Sequence, residues 1–378
     1  MPKQLLISID PGFDSLKVIA NGKSFKFPFN AVETDERKMS DYGSRKNFML
    51  YKDMSGATWR VGQYARGLIF DNKLQDEDGG QLSRFYTEER FVSDEFIVGI
   101  RTAISMAIRL SGVYAEQSDL DLRLIVALPH SIRTKYASTI VGLLAGEHRY
   151  YMAFDAEQES LYHYTIQESC VHTVSQTIAA ILGETSDDNG YINEEKYFYL
   201  SNGPTLVIDG GYYTTGLVPV SRGGSVDDAK AESDTNHSMK NVNMAVAQAI
   251  QDKRPDIKHY MIEYLLEQGN EPIRYLKDGK VETIDLHALR KEKLQEVCVN
   301  FIKYLNRKYD NLLDMRYVLV TGGTGACYYN QLLRYYKDMG LMDEEHMLLT
   351  RPKVGEVEMP IEYAIAAGAY KGLRGKLN

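Results

Sequence analysis

The chain has little of what usually marks a function. Its three cysteines, Cys170, Cys298 and Cys327, lie far apart with no paired spacing. That excludes a disulfide framework and a zinc site, and it fits a reducing compartment. No apolar run is long enough to span a bilayer. Asp10 interrupts the N-terminal apolar run, so no secretory signal is expected. Positive charge is not in excess. The formal net charge of −8 excludes a bare basic face for nucleic acid. Walker A, helix-turn-helix and zinc patterns are missing. The eight histidines are scattered, and His163 and His172 do not have metal-ligand spacing. Only one tryptophan occurs, Trp59, which reads as a hairpin packing residue. What remains is 44% apolar and 25% charged over 378 residues. This is the composition of a soluble globular protein with room for two domains, expected in the cytoplasm.

Periodicity divides the chain into two halves of similar plan. In the first, residues 5–9 and 15–20 read as a tight hairpin that 24–29 continues. A second hairpin spans 48–65, turned at Ser55-Gly56. The acidic stretch 71–84 reads as an exposed loop. Residues 94–110 have helical spacing behind a candidate capping aspartate, 122–129 is a buried strand, and 133–145 is a helix. Short strands follow through 147–168, and 171–182 reads as helical. In the second half, strands occupy 205–221 and a flexible polar loop 223–236. Helices are expected at 239–252, 256–268 and 285–308, with a small hairpin before the last of these. A buried strand covers 316–323, then come a helix near 326–338, a strand near 346–350 and a last helix near 360–372. Strands then helices, twice over, predict two related α/β lobes. The first is expected over 1–204 plus 358–378, with a small subdomain at about 30–84. The second is expected over 205–357, with a small subdomain at about 240–305.

Three loops have the chemistry of phosphate binding. In "LLISIDPGFDSLKVIA" a strand ends on Asp10, and Gly12 opens a turn that leads to Ser15 and Lys17. Backbone N–H groups at such a tip, with a hydroxyl and an ammonium, make an anion cradle. Asp10 would repel that anion unless a Mg²⁺ ion, held through water, sits between them. "TLVIDGGYYTTGLVPV" repeats the parts with Asp209, Gly210, Gly211, Thr214 and Thr215. Its two glycines allow close approach of backbone to a ligand. "VLVTGGTGA" ends a strand in Gly322 and Gly323, with Thr324 following, before a helix. Each loop alone is a weak signal, since glycine at a strand end is usually a turn or a cap. Together they describe a nucleotide held between two lobes, with Asp10 and Asp209 as its metal-binding carboxylates.

The order of these parts resembles the actin–sugar kinase–heat-shock chaperone superfamily. "IDPGFDSLK" (9–17) looks like its phosphate-1 motif, "VIDGGYYTT" (207–215) its phosphate-2 motif and "VTGGTG" (320–325) its adenosine motif. "IEYAIAAGAYKG" (361–372) looks like the second connecting helix. Within the superfamily, "VALP" (126–129) and "GATWRVGQYA" (56–65) are most similar to the plasmid-segregating bacterial actins of the ParM/StbA/Alp group. The resemblance covers essentially the whole chain. It implies a two-lobed actin-like ATPase fold, α/β, each lobe a mixed five-stranded-type sheet with helices plus a smaller subdomain. It also implies binding of ATP (GTP possible) and Mg²⁺ and head-to-tail self-assembly. A ParR-like DNA-binding adaptor would make the contact to plasmid DNA indirect. No membrane partner is implied. By the same resemblance Glu168, in "TIQESCVHT", is the expected catalytic residue that orients the attacking water, with Gln167 as alternate. The bland reading of Glu168 is a helix cap at Ser169. Pro11, Tyr212-Tyr213 and Gly216 depart from the group's pattern, the last because a second aspartate is common there.

Other readings are open. A small-molecule kinase of this fold needs a catalytic aspartate base, and no convincing candidate stands out. A chaperone ATPase is not expected, since no large peptide-binding domain follows the nucleotide domain. A phage-encoded or chromosomal cytoskeletal actin is not separable on sequence. The 27 tyrosines, clustered in "HRYYM" and "LRYYKD", offer either protein–protein contacts or ordinary amphipathic surface. Lys371, Arg374 and Lys376 read as solvating or capping the last helix.

Overall fold

The computed structural model describes residues 3–34, 48–70, 88–112, 120–155, 158–196, 203–267, 269 and 272–377. The predicted loop at 71–84 lies outside them. The chain forms two compact units, residues 1–194 with 351–378 and residues 195–350.

The first unit begins with a three-stranded meander, β1 (Lys3–Pro11), β2 (Ser15–Ala20) and β3 (Lys23–Pro28). Asn21 and Gly22, both at positive φ, make the tight turn between β2 and β3. A second, antiparallel sheet uses β4 (Ala31–Thr34), β5 (Leu50–Asp53) and β6 (Thr58–Val61), followed by helix α1 (Gln63–Phe70). A 3-10 turn at Glu88–Val92 precedes α2 (Asp94–Leu110). The cap of α2 is Ser93, whose hydroxyl accepts from the Phe96 amide, and not the predicted Asp94. Next come β7 (Leu120–Leu128), α3 (His130–Leu144), β8 (Gly146–Ala153), β9 (Glu159–Ile166), β10 (Val171–Ser175) and α4 (Gln176–Thr185).

The first sheet has the order β10-β7-β1-β2-β3, with β7 and β10 parallel to β1. Leu5, Ile7 and Ile9 share a core with Ile100, Ala103 and Ile104 of α2. Each such aliphatic contributes about 1.5–3 kcal/mol on burial. Ser8, on the opposite face by the period of two, donates to the Ala366 carbonyl at 2.6 Å. The sequence reading of 171–182 as helix therefore needs correction. Val171, His172, Thr173 and Val174 pair with β7, and the helix starts only after Ser175, which caps it. β-branched residues beside a buried strand outweighed the apolar spacing.

The second sheet, β4-β6-β5-β8-β9, explains many tyrosines. Alternation turns Tyr150, Tyr162 and Tyr164 inward to meet Tyr51. Tyr150 shares hydroxyl hydrogen bonds with Ser105 at 2.8 Å and Tyr164 at 2.9 Å. Arg101 donates to the Tyr51 hydroxyl at 2.7 Å. Burial pushes the phenols of Tyr150 and Tyr164 well up from the ordinary range. These are core residues and not contact surface. Trp59 packs against the same core, as read from the sequence.

The second unit repeats the sheet plan with β11 (Thr205–Gly210), β12 (Thr215–Val220), β13 (Glu232–Asp234), β16 (Tyr317–Thr321) and β17 (Met347–Leu349). Their order is β13-β12-β11-β16-β17. Between β13 and β16 lie α5 (Met239–Ile250), α6 (Met261–Glu267), the hairpin of β14 (Ile273–Lys277) and β15 (Lys280–Ile284), and α7 (Leu286–Lys308). Helix α8 (Gly323–Asp338) follows β16 directly. The polar stretch 223–236 is not all loop, since Glu232–Asp234 pairs with β12 as the sheet edge. The helix expected over 256–268 is confined to Met261–Glu267. In "LRYYKD", Tyr336 is fully buried and donates to Asn306 at 2.8 Å.

The chain returns to the first unit through the short strands β18 (Lys353–Val354) and β19 (Val357–Glu358) and helix α9 (Ala364–Gly375). Helices α9 and α4 meet backbone to backbone. A Cβ on Gly368 would lie 1.7 Å from the Ala179 carbonyl oxygen. Lys371 is buried and donates to the Gly183 and Ser186 carbonyls at 2.8 and 3.1 Å. It thus closes the C-terminal end of α4 and does not solvate its own helix. Arg374 donates to Asn189 at 3.0 Å.

Candidate functional site

In the first unit the hairpin register pairs Asp10 with Lys17 and Pro11 with Leu16. The strands thus bring the Lys17 ammonium 3.6 Å from Asp10 Oδ2. Asp10 is buried, and its other oxygen accepts from Gln176 Nε2 at 2.8 Å. Because β1, β7 and β10 are parallel, their C-terminal ends share one edge of the sheet. Asp10 ends β1 there, and Ser175-Gln176 ends β10 there. Asp10 only accepts, so the amide nitrogen of Gln176 must face it and the carbonyl Oε1 points elsewhere. Among the described residues no donor takes that Oε1.

Glu168 sits at the other end of β10, in the exposed 3-10 turn Glu168–Cys170. Four strand steps, about 13 Å, separate the two ends of β10. The structure therefore brings Gln176 to Asp10 and does not bring Glu168 or Gln167 there. Nor does Glu168 cap the following helix, whose cap is Ser175.

Two arginines that sequence reading missed fix the hairpin tip. Arg90 is buried and donates to the Gly12 carbonyl at 3.2 Å and the Phe13 carbonyl at 3.4 Å. Its guanidinium lies 4.2 Å from the Phe29 ring centre and 4.7 Å from that of Phe13. Arg66, also buried, donates to the Asp14 carbonyl at 3.1 Å and pairs with its carboxylate. With the tip carbonyls held from behind, the turn is fixed before any ligand arrives. Gly12 meets the end of Lys17, since a Cβ there would lie 2.5 Å from Nζ. Ser15 is half-buried at the start of β2.

In the second unit Asp209 pairs with Gly216, and Gly210 with Thr215. Here the tip packs against the start of α8. A Cβ on Gly210 would lie 2.1 Å from the Gly325 nitrogen. Gly322 has φ +78° and approaches the Gly210 oxygen and Asp209. The buried Thr324 donates to the Gly211 carbonyl at 2.7 Å. Thr215 is also buried and donates to the His237 carbonyl at 2.8 Å. The predicted glycines thus divide. Gly210 and Gly322 serve close packing, whereas a Cβ on Gly323 would meet nothing within 4 Å. Thr214 is half-buried at the tip, where its carbonyl accepts from Gly211 at 2.9 Å. Lys240, at the start of α5, lies 4.2 Å above the Tyr213 ring.

A polar cluster lies near α8. Asn243 is fully buried and donates to Glu263 at 3.1 Å, leaving its Oδ1 without a partner. Arg290 also binds Glu263, while its buried Nε has none. The Arg290 and Glu263 charges act on the Cys327 thiol, which burial pushes up.

Among the described residues no three His, Cys, Asp or Glu side chains gather as metal ligands. Both oxygens of Asp10 have protein partners. These residues fit a Mg²⁺ ion held by phosphates and water, not one caged by protein. No helix of the described residues is long and apolar enough to cross a membrane.

No protein-family model and no curated protein matches the chain. Solved structures do. A 15-stranded ParM filament from Clostridium botulinum matches with TM-score 0.68 and 16% identity, covering 100% of both chains. Actin-like protein Alp7A matches with TM-score 0.66 and 13% identity, over 99% of this chain and 97% of that one. Bacillus thuringiensis ParM with AMPPNP matches with TM-score 0.59 and 14% identity, over 98% of each chain. The chain therefore has the actin-like fold along its length.

Proposed function

We propose that this protein is an actin-like ATPase that binds Mg-ATP and polymerises, and that hydrolysis weakens its subunit contacts. The carrying observation is the buried Asp10, held by Lys17 and Gln176 at the tip of a preformed hairpin. Lys17 would take charge from the phosphates. Asp10 would accept from water around Mg²⁺, which supplies further charge neutralisation when bound. Gln176, through its untaken Oε1, would hold the attacking water in line. That role was expected of Glu168, and the sheet geometry favours Gln176.

The second unit has phosphate-binding chemistry of its own. Asp209, Gly211 and Thr214 would meet phosphates or metal-bound water, and Gly323 would offer open backbone to the sugar. Support for assembly comes from the filament and the AMPPNP-bound ParM whose fold the chain shares. A head-to-tail filament is a heterologous interface that does not close. Its proposed task is plasmid segregation through a ParR-like adaptor in the bacterial cytoplasm.

The test is light scattering after addition of Mg-ATP, with phosphate release followed in the same sample and GTP run beside it. A rise that decays as ATP is consumed is the expected result. Hydrolysis without scattering, at all protein concentrations, would reject assembly and favour a kinase acting on a small acceptor.

A further inference from the structure

The face of the first sheet that carries Asp10 also carries, at its other end, a cavity of about 620 Å³. Gln4 and Leu6 of β1, Arg123 of β7, and Tyr370, Arg374 and Lys376 of the last helix region line it. The register pairs Leu6 with Arg123, so both point to the α9 side, as Ser8 does. Four strand steps separate Leu6 from Asp10, about 13 Å. The cavity is therefore distinct from the hairpin tip.

Its charge is one-sided. Three cations, Arg123, Arg374 and Lys376, line it; of the carboxylates nearby, Asp121 accepts from Arg123 Nε and from Gln4, both at 3.1 Å, and the Asp188 charge acts on Tyr370. Arg374 spends one donor on Asn189. The remaining guanidinium N–H groups of both arginines have no protein partner among the described residues. His172 lies on the same face, in register with Ile125. Burial lowers its pKa, and the charges of Lys376 and Arg123 lower it further. Those cations therefore act at one place.

We propose that this cavity is a binding site for a small polyanion carrying at least two phosphate groups. Two guanidinium forks and an ammonium suit phosphate oxygens. The volume admits a ligand larger than one phosphate. The lining is mostly polar, which disfavours an apolar ligand.

The test is calorimetric titration of the full chain with inorganic pyrophosphate at physiological salt. The Lys17→Ala background weakens the hairpin's contribution, and the cavity variants separate what remains of it from the cavity. There, binding with a dissociation constant below about 1 mM is expected. It should weaken at least tenfold in Arg123→Gln/Arg374→Gln. Lys376→Gln, on an exposed side chain that cannot disturb the fold, should weaken it about threefold. No binding in Lys17→Ala, or binding that none of these variants changes, would overturn the proposal.

Discussion

The two Asp-Gly hairpins have the same sequence grammar but are fixed by different means. In the first unit the tip is tied by long side chains. Arg90 and Arg66 hold its carbonyls, and Lys17 and Gln176 hold Asp10. In the second unit the tip is fixed mainly by close backbone packing, because Gly210 and Gly322 let two backbones touch, with the short Thr324 side chain donating to the Gly211 carbonyl. One hairpin depends on long charged side chains, the other on close packing closed by a single hydroxyl. A motif read as one kind of loop thus covers two mechanical solutions.

Alanine at the glycines of the two tips breaks this comparison most sharply. Gly210→Ala drives a Cβ into the Gly325 backbone, which cannot yield, and should cost about 3–5 kcal/mol in urea unfolding or prevent folding. Gln176→Ala should leave the fold intact and slow phosphate release about 100-fold, whereas Glu168→Ala should release phosphate at the unmodified rate. Equal rates for Gln176→Ala and the parent would return the role to another side chain. Arg90→Gln should destabilise by about 2 kcal/mol and weaken nucleotide binding, since only the first tip relies on it. Gly12→Ala meets the movable end of Lys17 and, at 3.1 Å, the Ser15 carbonyl, which need yield by only a few tenths of an ångström, so thermal unfolding should shift by about 1 kcal/mol. Gly323→Ala meets nothing and should leave stability unchanged, with any loss confined to nucleotide affinity in titration.

The local parts of the site were legible because they are local. Asp10, Gly12 and Lys17 lie on one turn, and a strand ending on a carboxylate already raises a question of charge. The Asp10–Gln176 contact joins residues 166 apart, and the apolar spacing of 171–182 hid the strand end that places Gln176. Helical spacing and a buried parallel strand look alike over so short a run. Arg66 and Arg90 carry no motif, because any long cation reaching the tip from behind would serve. The glycines were legible as a set but not individually. Which one packs and which stays open depends on α8, which arrives from over a hundred residues away. The tyrosines had a readable signal in their alternation along β8 and β9, which puts Tyr150 and Tyr164 in the core.

Helix α4 begins at Gln176 beside Asp10, and its last carbonyls are gripped by Lys371. Gly368 sits so close to Ala179 that the two helices have no slack to slide. A ten-residue rod, about 15 Å long, is thus pinned at both ends. It behaves as a strut. A displacement imposed on Asp10 at one end would be passed along α4 to its contacts with α9.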